Sequence, residues 1–325
     1  MKASEVAELT GGVLVGPDRG FEGVAPLGRA GPRDLAFAER TPATPVRAGV
    51  LLATRPATAT TVVVARPREA FVLVLQHLFP EIHPQGVQPG AWVHPTARLG
   101  RRTCVYPGAY VGPDVEIGDD SVVYPNAVVL AGSRIGRGCV VGPGAVVGHA
   151  GFGLHATPEG PRPVPQVGRA VLEDGVSLGA NTCVDRAFLE ETRVGAGTQI
   201  DNLVQVGHNC KLGRNVVVAG QAGLSGSVHV GDGAVLGGQV GIADHVTVGP
   251  GARIGGQSGV HRDLSGPASW LGTPAVPATL AGRVFAAWKH LPDLVRRVRR
   301  IEERLEALAE RGQTPGRGGP PDERR

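Results

Sequence analysis

VGAGTQIDNLVQVGHNCKLGRNVVVAGQAGLSGSVHVGDGAVLGGQVGIADHVTVGPGARIGGQSGV fills residues 194–260, with an aliphatic at every sixth position: Val194, Ile200, Val206, Leu212, Val218, Leu224, Val230, Leu236, Ile242, Val248, Ile254 and Val260. A period of six matches neither the 3.6-residue turn of a helix nor the two-residue alternation of a strand. It fits a parallel β-helix whose short sides each point one aliphatic inward before a Gly- or Asn-rich corner, three sides closing one coil. Residues one coil apart then stack in a column at about 4.8 Å, the spacing of adjacent strands.

The same register runs upstream through Val93, Leu99, Val105, Val111, Ile117, Val123, Val129, Ile135, Val141 and Val147. It resumes at Leu172, Leu178 and Val184, then slips by four extra residues before Val194. Between lies HAGFGLHATPEGPRPVPQVGRA, residues 149–170, a Pro- and Gly-rich insertion expected to loop out from the prism. The β-helix is therefore assigned to residues 89–270.

Residues 1–88 read as a small α/β domain. Ser4 can cap a short helix through Leu9, Gly49 to Ala53 and Thr61 to Ala65 are strand-like, and Pro67 opens an apolar helix through Leu78. Residues 271–311 are assigned to C-terminal helices, where Leu294, Val298, Ile301, Leu305 and Leu308 form a seam suited to packing against copies of itself or the prism. Residues 312–325 read as a disordered polar tail.

Fifty glycines and only 4% aromatics suit repeated small coils better than an aromatic-centred globule. No apolar run of about 18 residues and no basic-then-apolar N-terminus is present, which points to the cytoplasm and against a transmembrane segment. Cys104, Cys139, Cys183 and Cys210 lack CxxC spacing, so they read as buried reduced thiols and not as metal ligands. The net charge of +4 is modest and locally concentrated at Arg296 through Arg300, favouring one acidic docking partner over nucleic acid.

The whole layout resembles the UDP-3-O-acylglucosamine N-acyltransferases, the LpxD family of lipid A biosynthesis. The resemblance rests on AFVLVLQHLFP, HPTARLG at His94, the GFG and PQVGR segments of the insertion, VDRA at Val184, IDNLVQVGHN at Ile200, GGQSGV at Gly255, and GTPAVP before the helices. It implies a left-handed coil, a homotrimer with sites between subunits, and no cofactor. The implied reaction moves an (R)-3-hydroxyacyl group from acyl carrier protein to the 2-amino group of a UDP-linked glucosamine. The carrier protein would dock on Arg296, Arg297, Arg299 and Arg300; a solvated helix face is the plainer reading of each arginine.

Amide formation from a thioester needs a base for the amine proton and a donor for the oxyanion. A neutral histidine suits the first role near pH 7. His208, two places after the inward Val206, stands at a corner and matches the family's catalytic base. Gly226, one coil on in the same column, matches the family's backbone oxyanion donor, though a turn glycine fits too. The resemblance also implies substrate-binding roles for His245, Asp201 and Asn202, and uracil stacking by Phe37. Asx residues serve turns as readily, and Phe37 suits a small core equally. Phe152, His149 and His155 on the insertion are candidates for phosphate or acyl contacts.

Four positions depart from the family pattern: Arg40, Ala43, Ala150 and Leu154. Other readings are a UDP-amino-sugar N-acetyltransferase using acetyl-CoA, a zinc hydratase built on His208, His229 and His245, and a non-catalytic scaffold.

Overall fold

The computed structural model describes residues 1–40, 42 and 44–312; Thr41, Ala43 and the tail from 313 onward lie outside them. The chain forms two units, Met1–His83 and Pro84–Arg325.

In the first unit a five-stranded sheet has the order β1-β5-β4-β3-β2, comprising β1 Val13–Val15, β2 Gly23–Val24, β3 Asp34–Ala38, β4 Val50–Ala53 and β5 Thr60–Val63. β1 runs antiparallel to β5, and the other pairs are parallel. Helices α1 (Ala3–Thr10) and α2 (Pro67–Leu78) bury Ala3, Val6, Ala70 and Val74 against Leu35, Val50, Leu52 and Val62. The Ser4 cap is corrected. Ser4 lies inside α1, where its N–H and its hydroxyl both donate to the Asp18 carboxylate at 2.9 Å, while the Lys2 N–H donates to Glu5 at 2.6 Å. The helix start is thus satisfied by an acid from a later loop and by its own first turn.

The second unit is the β-helix. Its three sides form parallel stacks within sheets of nine, eight and eleven strands. The first side carries Val93, Val111, Val129, Val147, Val184, Val206, Leu224, Ile242 and Val260 in register. The second carries Leu99 through Val248, and the third begins with Val87 opposite Val105. Because Gly86–Val87 already pairs with Cys104–Val105, the coil starts before residue 89. From Val105 to Val260 the inward aliphatics make one continuous column-filled core, each nearly inaccessible. Corners take left-handed backbone at Asp114, Asp120, Asn126, Asn181, Asn209 and Asn215, where Asx side chains tolerate positive φ.

Cys104, Cys139 and Cys210 are buried free thiols, and burial pushes Cys210 up to about 12. Cys183 departs from expectation by being only half-buried, since it occupies an outward strand position beside Val184.

The insertion is also corrected: it is not a plain loop. The strand Val146–Ala150 continues past its anchor through a bulge between Val147 and His149, and Leu154–Thr157 pairs antiparallel with Gly160–Pro163 as a hairpin. At the far end Ser269–Leu271 joins the third side, and Val276–Pro277 runs antiparallel across it. Helices α3 (Ala278–Trp288) and α4 (Leu291–Gly312) follow. The α4 seam is uncovered, with Leu294, Val298, Ile301, Leu305 and Leu308 between 42% and 63% exposed.

Candidate active site

Both breaks in the six-residue register fall at the edge where the first side turns into the second. The 149–170 insertion leaves the chain after Val147, and the four-residue slip follows Val184. His208 follows Val206 and Gly226 follows Leu224 at the same edge on the next two coils. A cavity of about 630 Å³ opens there, lined among others by Phe152, Asp185, Gln205, His208 and Gly226.

His208 is held tightly. A Cβ at Gly226 would lie 2.7 Å from its Nε2 and Cε1, and one at Gly151 would lie 2.6 Å from its Cβ and 2.9 Å from its Cδ2. Only glycine on both flanks leaves room for the ring. Its Nδ1 lies 3.0 Å from Asn209 Oδ1. That oxygen also accepts the Phe188 N–H at 3.0 Å, while Asn209 Nδ2 donates to the Leu189 carbonyl at 3.1 Å. The amide orientation is therefore fixed by the four-residue slip, and Asn209 Oδ1 can only accept. In the neutral ring Nδ1 carries the proton, which leaves the Nε2 lone pair directed beside Gly226. The Gly226 N–H has no hydrogen-bond partner among the described residues, while its carbonyl accepts the His245 N–H at 3.1 Å. A lone pair and an unengaged N–H thus stand together over an apolar floor that includes Leu224.

Asp185 lies opposite His149 in the bulged strand pair and is 8% exposed. Its Oδ2 accepts the Gln205 amide at 2.8 Å. Burial raises its pKa, while the Gln205 hydrogen bond and nearby His149 and His208 pull the other way. Asp185, Gln205, Asn209 and Gly151 were not singled out from sequence. Their signal was the pair of register breaks at one edge.

A second depression of about 460 Å³ shares Gln205, Leu224 and Ser225 with the first and continues along the first side to His261 and Thr273. Its floor is made by Gly223, Gly241 and Gly259, consecutive outward positions where larger residues would fill it.

The remaining candidates are more scattered. Phe152 lines the main cavity and is 85% exposed. His245 is an exposed corner residue at φ 59°. Asp201 and Asn202 lie at another edge, after the third-side strand Gln199–Ile200. Both Asp201 carboxylate oxygens accept backbone N–H groups, from Asn202 at 2.7 Å and Gly220 at 3.0 Å, and Asn202 Oδ1 accepts the Ala180 N–H at 2.6 Å. In the first unit Phe37 is half-buried, its ring 4.9 Å from that of Phe71. Arg296 pairs with Asp293, and Arg297, Arg299 and Arg300 are exposed along α4. His155 sits exposed on the hairpin. His229 points outward from the second side, and among the described residues no group of three His, Cys, Asp or Glu could hold a metal ion. No helix among the described residues is long and apolar enough to cross a membrane.

The bacterial transferase hexapeptide repeat family matches residues 96–131, 114–149 and 191–226. A UDP-3-O-acylglucosamine N-acyltransferase of Oleidesulfovibrio alaskensis is 47% identical, with 95% of this chain and 98% of that protein covered. Another, numbered 1, from Gloeobacter violaceus is 43% identical over 94% and 96% of the two chains. Among solved structures, UDP-N-acetylglucosamine acyltransferase from Campylobacter jejuni superposes with a TM-score of 0.54 at 26% identity, over 59% of this chain and 73% of that one. Likeness that extends at this level through both units and nearly the full length of each relative settles the family: this chain is a member of the UDP-3-O-acylglucosamine N-acyltransferases.

Proposed function

We propose that the protein transfers an (R)-3-hydroxyacyl group from acyl carrier protein to the 2-amino group of UDP-3-O-acylglucosamine, as a cytoplasmic homotrimer serving lipid A biosynthesis. The observation that carries the mechanism is His208 held between two glycines, with Nδ1 bonded to Asn209 and Nε2 beside an unengaged Gly226 N–H. His208 Nε2 takes a proton from the attacking amine as nitrogen bonds to the thioester carbon. The carbonyl oxygen gains charge and is met by the Gly226 N–H. Collapse breaks the carbon–sulfur bond, and the imidazolium returns its proton to the departing thiolate.

The glycine-floored depression favours a long acyl chain over an acetyl group, because it continues the reaction cavity with apolar walls and few polar groups. Asp201 and Asn202 are exposed at a different edge of the prism from His208. They reach its substrate when that edge belongs to a neighbouring copy, which supports a trimer with shared sites. His245 is assigned to the acceptor, Phe152 to the acyl chain and Phe37 to uracil. The exposed Arg297, Arg299 and Arg300, with Arg296, supply the docking face for the acidic carrier protein.

Purified protein given UDP-3-O-acylglucosamine with hydroxyacyl carrier protein should yield the N-acyl product by mass spectrometry, and His208→Ala should lose at least about 100-fold in kcat while remaining folded. Product from acetyl-CoA alone would assign a sugar acetyltransferase. Full turnover by His208→Ala would overturn the mechanism, and no product from either donor would indicate a changed acceptor or a scaffold.

A further inference from the structure

Asp185 is the one carboxylate lining the cavity that holds His208, and the mechanism above does not use it. Burying a carboxylate is costly unless it is bonded or matched by charge. Here only half of that requirement is met. Oδ2 accepts from Gln205, whereas Oδ1 has no hydrogen-bond partner among the described residues and retains some accessibility. The positive side chain beside it is turned elsewhere: Arg186 donates to the carbonyls of Gly148, at 2.9 Å, and Ala131. His149 lies near enough to act on the carboxylate electrostatically, but its Nδ1 is 2.8 Å from the Ala150 carbonyl and it makes no hydrogen bond to Asp185. This oxygen is free to accept a hydrogen bond from a molecule bound in the cavity that Asp185 lines.

We propose that Asp185 Oδ1 accepts a hydrogen bond from the acceptor's reacting amino group and thereby selects nitrogen over oxygen as the nucleophile. An amine attacking through its lone pair presents one N–H to His208 Nε2 and still has another for Asp185. A hydroxyl has a single hydrogen. If that hydrogen goes to His208, the Asp185 oxygen stays unpaired, and if it goes to Asp185, the base has nothing to remove. Sites with buried polar groups of this kind discriminate strongly, because the wrong ligand leaves them unsatisfied. The same carboxylate faces the imidazolium that forms on His208, so it stabilises the charge of the step it orients. The proton count is unchanged: the N–H lost to His208 passes to the thiolate, and the N–H held by Asp185 stays on the amide product.

The inference rests on the N-acyl transfer reading and can fail separately from it. Asp185→Asn keeps the shape and an acceptor for Gln205 but replaces a charge by an amide. Wild type and variant, each shown by thermal melt to be folded at the assay temperature, are compared with UDP-3-O-acylglucosamine and with its glucose analogue carrying a 2-hydroxyl. Kinetics give kcat/KM for each acceptor, and calorimetry gives each Kd. The amine-to-hydroxyl preference should fall at least about tenfold in Asp185→Asn, through acceptor KM and Kd, with the carrier-protein KM unmoved. An unchanged preference overturns the proposal, whatever happens to the absolute rate, because a merely structural loss lowers both acceptors alike. If wild type turns over neither acceptor, the transfer reading fails, and the calorimetric preference alone decides the role of Asp185.

Discussion

At the scale of single residues the site depends on close approach. Gly226 has an ordinary negative-φ backbone, so alanine is tolerated by the chain itself, yet its methyl would sit 2.7 Å from the His208 ring. Gly226→Ala should therefore cut kcat by about 10²- to 10³-fold with little change in melting temperature. Steady-state rates beside thermal melts would separate this from unfolding. Asp185 gives a second, pH-linked expectation. Its proton affinity is higher folded than unfolded, because burial disfavours the carboxylate. Stability from this group is therefore complete below its unfolded value of about 3.8 and is lost as pH rises through the raised folded value. The melting temperature of Asp185→Asn relative to wild type should thus climb as pH rises above about 3.8 and level off once the raised folded value is passed, and a flat difference throughout would contradict the buried-carboxylate picture. His208 was legible through the VGHN motif and the chemistry of its side chain. Asn209, Gly151 and Asp185 were not, since only the stacking of coils, and the bulge that offsets them, brings them to the ring.

At the scale of elements the six-residue period was fully readable, because every inward position of a narrow prism must be aliphatic and of similar size. What the period could not express is the content of its interruptions. A Pro-rich segment with scattered glycines reads as a loop, but Leu154–Thr157 and Gly160–Pro163 pair locally as a hairpin, and the preceding strand extends through a bulge. Outward positions were equally silent in sequence, since glycine there looks like any other coil glycine. Gly223, Gly241 and Gly259 acquire meaning only as a column flooring the depression beside the site. Filling that column one strand beyond Gly223 with Gly241→Leu should reduce transfer of long acyl chains at least about tenfold while short-chain donors keep their rates. A Cβ at Gly241 meets open space, so the coil should be undisturbed. A donor series of graded chain length, assayed on both proteins, provides the check.

At the scale of the whole molecule, four of the site residues read from sequence divide between two edges of one prism. His208 and Gly226 share the edge after the first side, and Asp201 and Asn202 stand after the third. If the site is completed between copies, His208→Ala and Asp201→Ala are each inactive alone but complement when co-assembled. Random mixing in a cyclic trimer leaves about a quarter of the sites intact, so about a quarter of wild-type activity should return. No recovery in mixed trimers, verified by mass, would place both residues in one subunit's site. The sequence seam of α4 was legible as an apolar stripe, and its partner was not, because a stripe specifies what must be covered without saying by what. The last strand carries a different message. A stack of parallel sides has no intrinsic length: each coil offers the next one the same row of amides and carbonyls, and two such rods could in principle join end to end. Val276–Pro277 lies across that row in the opposite direction, and Pro277 has no N–H to offer. The reversal gives an otherwise unlimited ladder a last rung, and so keeps a molecule built from a fibre's geometry from becoming one.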